Sequence, residues 1–489
     1  MTLSRRDFLR LAGLVASGVA TSACAPVYNK LAGDFQNPAN VSSVGFPELS
    51  RLTFGPRGED RARVAEIGLN AWIEEQLAPE AIDDAPADWR LRRFPSLNMD
   101  ANEIFEMGNK LFDDLDVTPP INELRQATLT CQVYSRRQLY EVMAEFWSDH
   151  FNISVNKGIC WFLKTVDDRE TIRKHALGNF RDLLWASAHS PAMLVYLDNQ
   201  VNYASHPNEN YAREIMELHT LGVGGGYTQR DVMELARCFT GWTVKEHFWY
   251  GDFTFNPDFH DTGVKEVLGL TIQPNGQSEA EQVIETLATH PSTARFVATK
   301  LARRFIADEP PEEIVERAAT AFAETDGDIK AVLRVILFEG LAYARPKFKR
   351  PVNFITSSLR ALNAQTDAGQ NIVDTLARMG QLPFGWPTPD GYPDRAAPWS
   401  GNLMPRWQFA MALARNEING TQINLTELTN ADSPSRLIDH FSSLLIGVQL
   451  PATKRDELAA ALQEAGATDG DLPPVIVAGL AASPAFQWR

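Results

Sequence analysis

Apolar residues recur at intervals of three and four along most of this chain, the spacing that predicts amphipathic helices. Such helices are predicted at residues 64–77, 126–150, 170–188, 209–221, 229–239, 279–289, 292–306, 312–322, 329–338, 351–362, 371–379 and 437–445. Strand signals are few, and Phe248–Phe255 and Lys265–Leu268 are predicted to pair as one hairpin. The pattern predicts a mainly α fold, a large multi-helix domain with one small β-hairpin excursion.

Two segments carry no helical pattern. Residues 241–269 are one, and residues 382–402 hold too many Pro and Gly for regular structure. Long ordered loops on a helical scaffold often carry function. Both segments are therefore expected either to line a site or to cover the ends of helices.

The first 45 residues follow a different pattern. Ser4–Arg10 fits a twin-arginine export signal, and residues 11–23 form an apolar run too short to span a membrane. Cys24 is predicted to be lipidated, against the alternative of cleavage after Ala25. We therefore expect a signal with a lipobox over 1–24, a tether over 25–45 and one helical domain over 46–489.

This organisation predicts a place in the cell envelope. The protein is expected in the periplasm or at the cell surface, and its contact with the membrane is expected only through a lipid anchor. Twin-arginine export carries folded proteins, so a cofactor acquired in the cytoplasm is compatible with this route. Cofactor identity stays open, and a metal would need ligands from separate helices because no standard spacing is present.

Composition narrows the function further. The 489 residues are 44% hydrophobic and 22% charged, with a net charge of -16, which is typical of a globular protein. Such acidity argues against a nucleic-acid partner. Cys131, Cys160 and Cys238 lack any Cys-x-x-Cys spacing, so neither a zinc cluster nor a disulfide framework is indicated.

The segment 208–222 contains the strongest candidate chemistry. Asn208 is a predicted N-cap and Gly222 a predicted helix stop. Between them an apolar stripe adjoins a polar one. The apolar stripe is Tyr211, Ile215 and Leu218, and the polar stripe is Asn210, Arg213, Glu214 and Glu217. This helix is expected to form either a structural charge network or the floor of an active site.

Glu214 and Glu217 are the candidate catalytic pair. If both are buried beside Arg213, one carboxylate stays ionised while burial raises the pKa of the other, as general acid and base roles require. The alternative is a structural salt bridge between Arg213 and Glu217, four residues apart.

Two histidines are further catalytic candidates. His150 is a candidate general base, or a metal ligand together with Glu214, Glu217 or His219, and the alternative is a core histidine with both nitrogens satisfied. His260 and Asp261 lie in a loop and are expected to form an exposed catalytic pair.

Tryptophans suggest a substrate class. Indole faces stack on sugar rings, and paired carboxylates suit glycoside cleavage. Trp386 and Trp399 are expected to be exposed because Pro and Gly flank them. The candidate substrate-binding residues are Asn210, Arg213, Trp242, Trp386 and Asp390.

Several of these motifs resemble one bacterial family. The chain resembles the exported proteins catalogued as domain of unknown function 1800. The similar sequences are residues 190–199, 208–222, 227–242 and 294–301, together with His260-Asp261. The resemblance extends over nearly all of residues 46–485. It implies a large helical domain, often encoded beside an exported phosphatase-like family, domain of unknown function 1501. It carries no established catalytic residue.

Three functions follow as expectations. The first is an exported hydrolase that acts on cell-surface or environmental polysaccharide through carboxylate acid/base chemistry. The second is a non-catalytic envelope partner or assembly factor for the phosphatase-like protein. The third is a metal-dependent hydrolase.

Overall fold

Helices account for most of the architecture. A computed structural model describes residues 45–110, 118–245, 251–429, 431, 433–464 and 472–489. Its α-helices are Phe46–Leu52, Gly58–Ile67, Leu69–Gln76, Ala85–Leu91, Ala101–Lys110, Thr118–Tyr134, Gln138–His150, Cys160–Asp167, Phe180–Ala188, Pro191–Tyr196, Glu209–Glu214, Gln229–Cys238, Ser278–Thr289, Pro291–Phe305, Glu312–Glu324, Ile329–Arg334, Pro351–Ala361, Gln370–Arg378, Met404–Ala414, Leu425–Leu428, Pro434–Leu445, Ala452–Glu464, Leu472–Ala482 and Pro484–Gln487. The predicted export signal, Cys24 and the tether up to residue 44 lie outside the described residues.

Other helical turns extend or connect these elements. Three π-helical turns follow directly on α-helices, at Asp168–Arg173, Ile215–Thr220 and Val335–Gly340. Short 3₁₀ turns occur at Pro79–Ala81, Pro95–Asn98, Asn199–Val201, Pro257–Phe259 and Leu341–Tyr343. Among the described helices, none is both long enough and apolar enough to cross a membrane.

The strands form three short antiparallel pairs. Trp242–Val244 pairs with Phe253–Phe255, Lys265–Val267 pairs with Leu270–Ile272, and Gln365–Thr366 pairs with Thr421–Gln422. The mainly α prediction is confirmed. The predicted pairing of Phe248–Phe255 with Lys265–Leu268 is wrong: Phe253–Phe255 pairs with the strand before it and Lys265–Val267 with the strand after it. Residues 246–250 lie outside the described part of the chain.

Two long predicted helices are each broken into two shorter ones, and the residues at each break explain why. The helix predicted over 64–77 is broken at Gly68, whose φ of 82° lies outside the helical region. The helix predicted over 126–150 is interrupted at residues 135–137, where the Ser135 hydroxyl accepts the backbone N–H of Arg137 at 3.0 Å. Serine competes for backbone groups in this way and favours a turn.

Buried apolar side chains from Leu49 to Phe486 form one contiguous cluster. The Pro-rich loop, residues 382–402, packs against this cluster and has no helix or strand, as predicted. Gly391 in this loop has a φ of 70°, and a Cβ at that position would collide with the Asp149 carbonyl. This close approach places the loop beside the C-terminal end of Gln138–His150.

Candidate functional site

The predicted polar helix begins as expected and then changes its winding. The Asn208 side chain accepts the Asn210 backbone N–H at 2.9 Å, which caps the helix. Beyond Glu214 the helix becomes π-helical over Ile215–Thr220, and Leu221 N–H bonds to the Met216 carbonyl at 2.8 Å, five residues back. Gly222 ends it with a φ of 79°. Such π-turns are frequent at functional sites.

The wider turn changes which side chains meet. Met216 and His219 are buried, whereas Leu218, predicted to belong to the apolar stripe, is only half-buried. Arg213 pairs with Glu209 at 2.9 Å, and Glu217 accepts the Tyr227 hydroxyl at 3.2 Å. The structural salt bridge considered between Arg213 and Glu217 is therefore absent from the ion pairs of the described residues.

Glu214 is half-buried and differs from its neighbours in having no direct partner. Within the described part of the chain, its carboxylate makes no hydrogen bond or ion pair. Burial raises the pKa of Glu214, and the negative charges of Glu217 and Asp390 raise it further, against the opposing effect of Arg213. A carboxyl group in this setting holds its proton more strongly than a free glutamic acid.

Asp390 comes to this surface from the Pro-rich loop. It is exposed and accepts hydrogen bonds from Trp386 Nε1 at 2.9 Å and Thr388 Oγ1 at 2.5 Å. Asn152 fixes the same turn by donating to the carbonyls of Trp386 at 3.1 Å and Thr388 at 2.7 Å. The negative charge of Asp390 raises the pKa of Glu214, as that of Glu217 does, and we call these three side chains the carboxylate surface.

Trp386 lies next to this surface. It is half-buried, and its ring packs against Tyr392 with centroids 4.9 Å apart. The bond from its indole N–H to Asp390 fixes one edge of the ring. An aromatic ring held this way offers a stacking partner to a ligand on the carboxylate surface.

His150 lies deeper, at the end of Gln138–His150. Its Nε2 donates to the His219 carbonyl at 3.0 Å, so Nδ1 accepts from Lys300 Nζ at 2.9 Å. Burial, followed by the charge of Lys300, lowers the pKa of His150 well below its ordinary value. With both nitrogens engaged, His150 has none free to act as a general base or metal ligand, and it matches the alternative of a satisfied core histidine.

Buried ion pairs surround His150. Glu145 contacts Arg304 at 2.7 Å and Arg350 at 2.5 Å, and Arg350 also contacts Asp149 at 2.7 Å. Burial raises the pKa of Asp149 to about 6 although Arg350 opposes the shift. These carboxylates are matched by arginines, unlike Glu214, and hold three chain segments together.

A cavity of about 220 Å³ lies between the carboxylate surface and the buried residues around His150. Its lining includes Asp390 from the carboxylate surface and His150, Lys300 and Arg304 from the interior. Lys300 and its neighbour Arg303 were outside the candidates drawn from sequence. The only signal for them was that they lie off the apolar stripe of a core helix.

His260 and Asp261 were expected to form an exposed pair, but the structure shows His260 buried and Asp261 half-buried. His260 is 7% exposed, with Nδ1 2.8 Å from the Thr240 carbonyl and Nε2 3.0 Å from Glu279. Asp261 accepts two hydrogen bonds from Arg237, at 2.8 and 3.0 Å. Both side chains hold the loop to its neighbouring helices.

Three of the candidate substrate-binding residues are buried or bonded to other groups of the protein. Trp242 is fully buried, packed on Phe239 and Phe253, and cannot present a face to sugar. Asn210 donates to the Leu197 carbonyl at 3.1 Å, and Arg213 is paired with Glu209. Trp399, expected to be exposed, is only 4% exposed, and its indole N–H donates to the Pro393 carbonyl.

The part of the chain that the structure describes contains no cluster of side chains that could bind a metal ion. No group of three or more His, Cys, Asp or Glu side chains there is arranged to hold a metal ion. The predicted combination of His150 with Glu214, Glu217 or His219 does not form such a group. Both ring nitrogens of His150 are already bonded, one to the backbone carbonyl of His219 and the other to Lys300.

The fold and the site define a mainly helical protein with an acidic surface beside a cation-lined cavity. A family model described as protein of unknown function (DUF1800) matches residues 48–488, and the chain belongs to that family. The resemblance noted from sequence motifs is thereby confirmed. No curated protein and no solved structure matches the chain.

Proposed function

We propose that this protein is an exported hydrolase that cleaves glycosidic bonds in cell-surface or environmental polysaccharide. The observation that carries the proposal is the unmatched, half-buried carboxyl of Glu214 beside two further carboxylates. A purely structural acid on a helix would be expected to have an arginine or backbone partner, as Glu145 and Asp149 do.

The roles follow from the environments of the three acids. Glycoside hydrolysis needs one protonated carboxyl to donate to the leaving oxygen and one ionised carboxylate to activate water or attack the sugar. Glu214, with its raised pKa, is the acid. Asp390, on a different chain segment and exposed, is the base or nucleophile, and Glu217 keeps the proton on Glu214 by its charge.

Sugar binding is assigned to the rim of the same surface. Trp386 supplies the stacking face, since its edge is fixed by Asp390. Polysaccharide also agrees with the predicted location in the envelope. Export by the twin-arginine route and lipidation of Cys24 stay predictions from the sequence.

Reducing-end release from a panel of bacterial and plant polysaccharides tests this function. The Asp390→Asn variant is expected to lose activity by about 10²- to 10⁴-fold, because it removes the base. Asp374→Asn is the matched control: Asp374 is exposed and bonds only to Gln370 among the described contacts. Equal activity of both variants would overturn the role of Asp390.

The alternative functions give different results in the same assay. Absence of turnover on every polysaccharide, combined with a stable complex with the phosphatase-like exported protein, would favour the non-catalytic partner. Turnover that chelators abolish and one added metal restores would favour the metal-dependent hydrolase.

A further inference from the structure

The cavity beside the carboxylate surface has an unusual set of charges for an acidic protein. Five cationic side chains line it, against three carboxylates. The cations are Lys300, Arg303, Arg304, Arg350 and Arg395. The first three are spaced i, i+3 and i+4 on the helix Pro291–Phe305, so one helix face supplies most of the positive charge.

Each of the three lining carboxylates has at least one donor, and one oxygen, Asp394 Oδ2, has no hydrogen-bond partner among the described residues. Asp149 contacts Arg350 at 2.7 Å, Asp394 contacts Lys347 at 3.4 Å, and Asp390 accepts from Trp386 and Thr388. Asp149 and Asp394 are thus paired with cations, whereas the donors to Asp390 are neutral and leave its charge to act on Glu214.

Two of the five cations have carboxylate partners, since Arg350 pairs with Glu145 and Asp149 and Arg395 pairs with Glu309. The three cations of the helix Pro291–Phe305 are less well matched. Among the described residues, Lys300 and Arg303 have no carboxylate within ion-pair distance: Lys300 donates to His150, and Arg303 Nε donates to the Asp308 carbonyl at 3.0 Å. Arg304 is 2% exposed and bonds Glu145 through one nitrogen, while its buried Nε and Nη1 have no partner. Buried donors without partners are costly unless a ligand satisfies them.

Burial dominates the electrostatics of Lys300 and Arg303. Burial is the main cause that lowers the pKa of Lys300 to about 8; Asp149 and two other acids oppose the shift, and Arg303 adds to it. Burial also lowers the pKa of Arg303, where Arg395 adds to the effect and three acids oppose it. Like charges held this close repel one another, and a bound anion relieves the repulsion.

We propose that this cavity binds a phosphate group carried by the saccharide substrate. A tetrahedral oxyanion matches donors that approach from a helix face and from the opposite loop, and it offers acceptors to the buried Nε and Nη1 of Arg304. A cavity of about 220 Å³ accommodates a phosphate with part of a sugar ring. Asp390 lines it and also acts on Glu214, so the phosphate lies beside the reacting bond. The saccharide part of this inference rests on the proposed hydrolase function.

Calorimetric titration with inorganic phosphate, sulfate and glucose 6-phosphate, with chloride at equal ionic strength, tests the site without any need for turnover. We expect saturable binding of both phosphates and tighter binding of glucose 6-phosphate. Arg303→Met is expected to weaken phosphate binding by roughly 10- to 100-fold. Arg303→Lys, which keeps the charge, is expected to retain more affinity than Arg303→Met.

Arg295→Met is the matched control, since Arg295 lies on the same helix and pairs with Glu312 at the surface. Its phosphate affinity is expected to equal that of the wild type. Absence of saturable phosphate binding, or equal binding by wild type and Arg303→Met, would overturn the site. Glucose 6-phosphate binding no tighter than inorganic phosphate would overturn the saccharide part.

Failure of this site is distinguishable from failure of the hydrolase function. Glu214→Gln is expected to bind phosphate normally, because Glu214 does not line the cavity. Phosphate binding without polysaccharide turnover would leave the anion site standing and reject the hydrolase. Turnover without phosphate binding would do the reverse.

Discussion

The Glu214→Gln variant is expected to lose hydrolysis by about 10²- to 10⁴-fold while its fold stays intact. Glutamine keeps the shape of the side chain but cannot deliver a proton to the leaving oxygen. Since Glu214 has no ion pair or hydrogen bond within the described residues, its replacement breaks no structural contact. Turnover of the polysaccharide identified in the depolymerisation screen measures the loss.

The Glu214→Gln variant is expected to lose activity but to gain stability. Because the pKa of Glu214 is raised by folding, the protonated form is favoured in the native state. That contribution to stability is present at low pH and is lost as pH rises through the folded-state pKa. We therefore expect Glu214→Gln to gain stability relative to the wild type between pH 4 and pH 8, measured by urea unfolding.

Glu209→Gln is the control on the same helix. Glu209 pairs with Arg213 and accepts Gln229, so its neutralisation removes a surface ion pair and keeps all three carboxylates of the carboxylate surface. Its activity is expected to match the wild type. If Glu214→Gln unfolds, or if it hydrolyses polysaccharide as fast as Glu209→Gln, Glu214 is not the acid.

Arg350→Met is expected to lower the free energy of unfolding by about 3–5 kcal/mol, because it leaves Asp149 and part of Glu145 as buried charges without compensation. Arg350 is only 4% exposed, so water cannot replace its guanidinium. The midpoint of urea unfolding at constant m-value measures the loss.

Arg345→Met provides the comparison, since Arg345 is exposed five residues earlier. It is expected to change stability by less than about 0.5 kcal/mol. The double variant Asp149→Asn/Arg350→Met is expected to recover part of the stability lost in Arg350→Met, because one uncompensated charge is gone. A loss below about 1 kcal/mol in Arg350→Met would show that the ion pairs around His150 do not hold the segments together.

The helical periodicity predicted much of the fold because apolar spacing reports directly on burial. Pro291–Phe305 and Gln229–Cys238 begin and end within one residue of their predicted bounds. Strand partners were harder, since three-residue strands carry almost no pattern. The sequence also contains nothing obvious that marks the π-turn at Ile215–Thr220, which decides that Arg213 pairs with Glu209 and not with Glu217.

The candidate site was predicted in part. Glu214, Glu217, Trp386 and Asp390 were named from the polar helix and the Pro-rich loop; the charges of Glu217 and Asp390 act on Glu214, and Trp386 donates to Asp390. Lys300 and Arg303 were missed, because periodicity separates the apolar face of a helix from its polar face but does not say whether the polar face meets water or another polar face. His260 was misplaced because its loop position suggested exposure, whereas Glu279 and Thr240 enclose it.

The most direct test of the central claim is the titration of Glu214 itself by ¹³C NMR in protein carrying labelled glutamate carboxyls. The signal is assigned by its absence in Glu214→Gln. We expect a pKa above the ordinary value for glutamic acid in the wild type and a lower pKa in Asp390→Asn, since Asp390 raises it. An ordinary pKa that Asp390→Asn leaves unchanged would contradict a shared carboxylate surface.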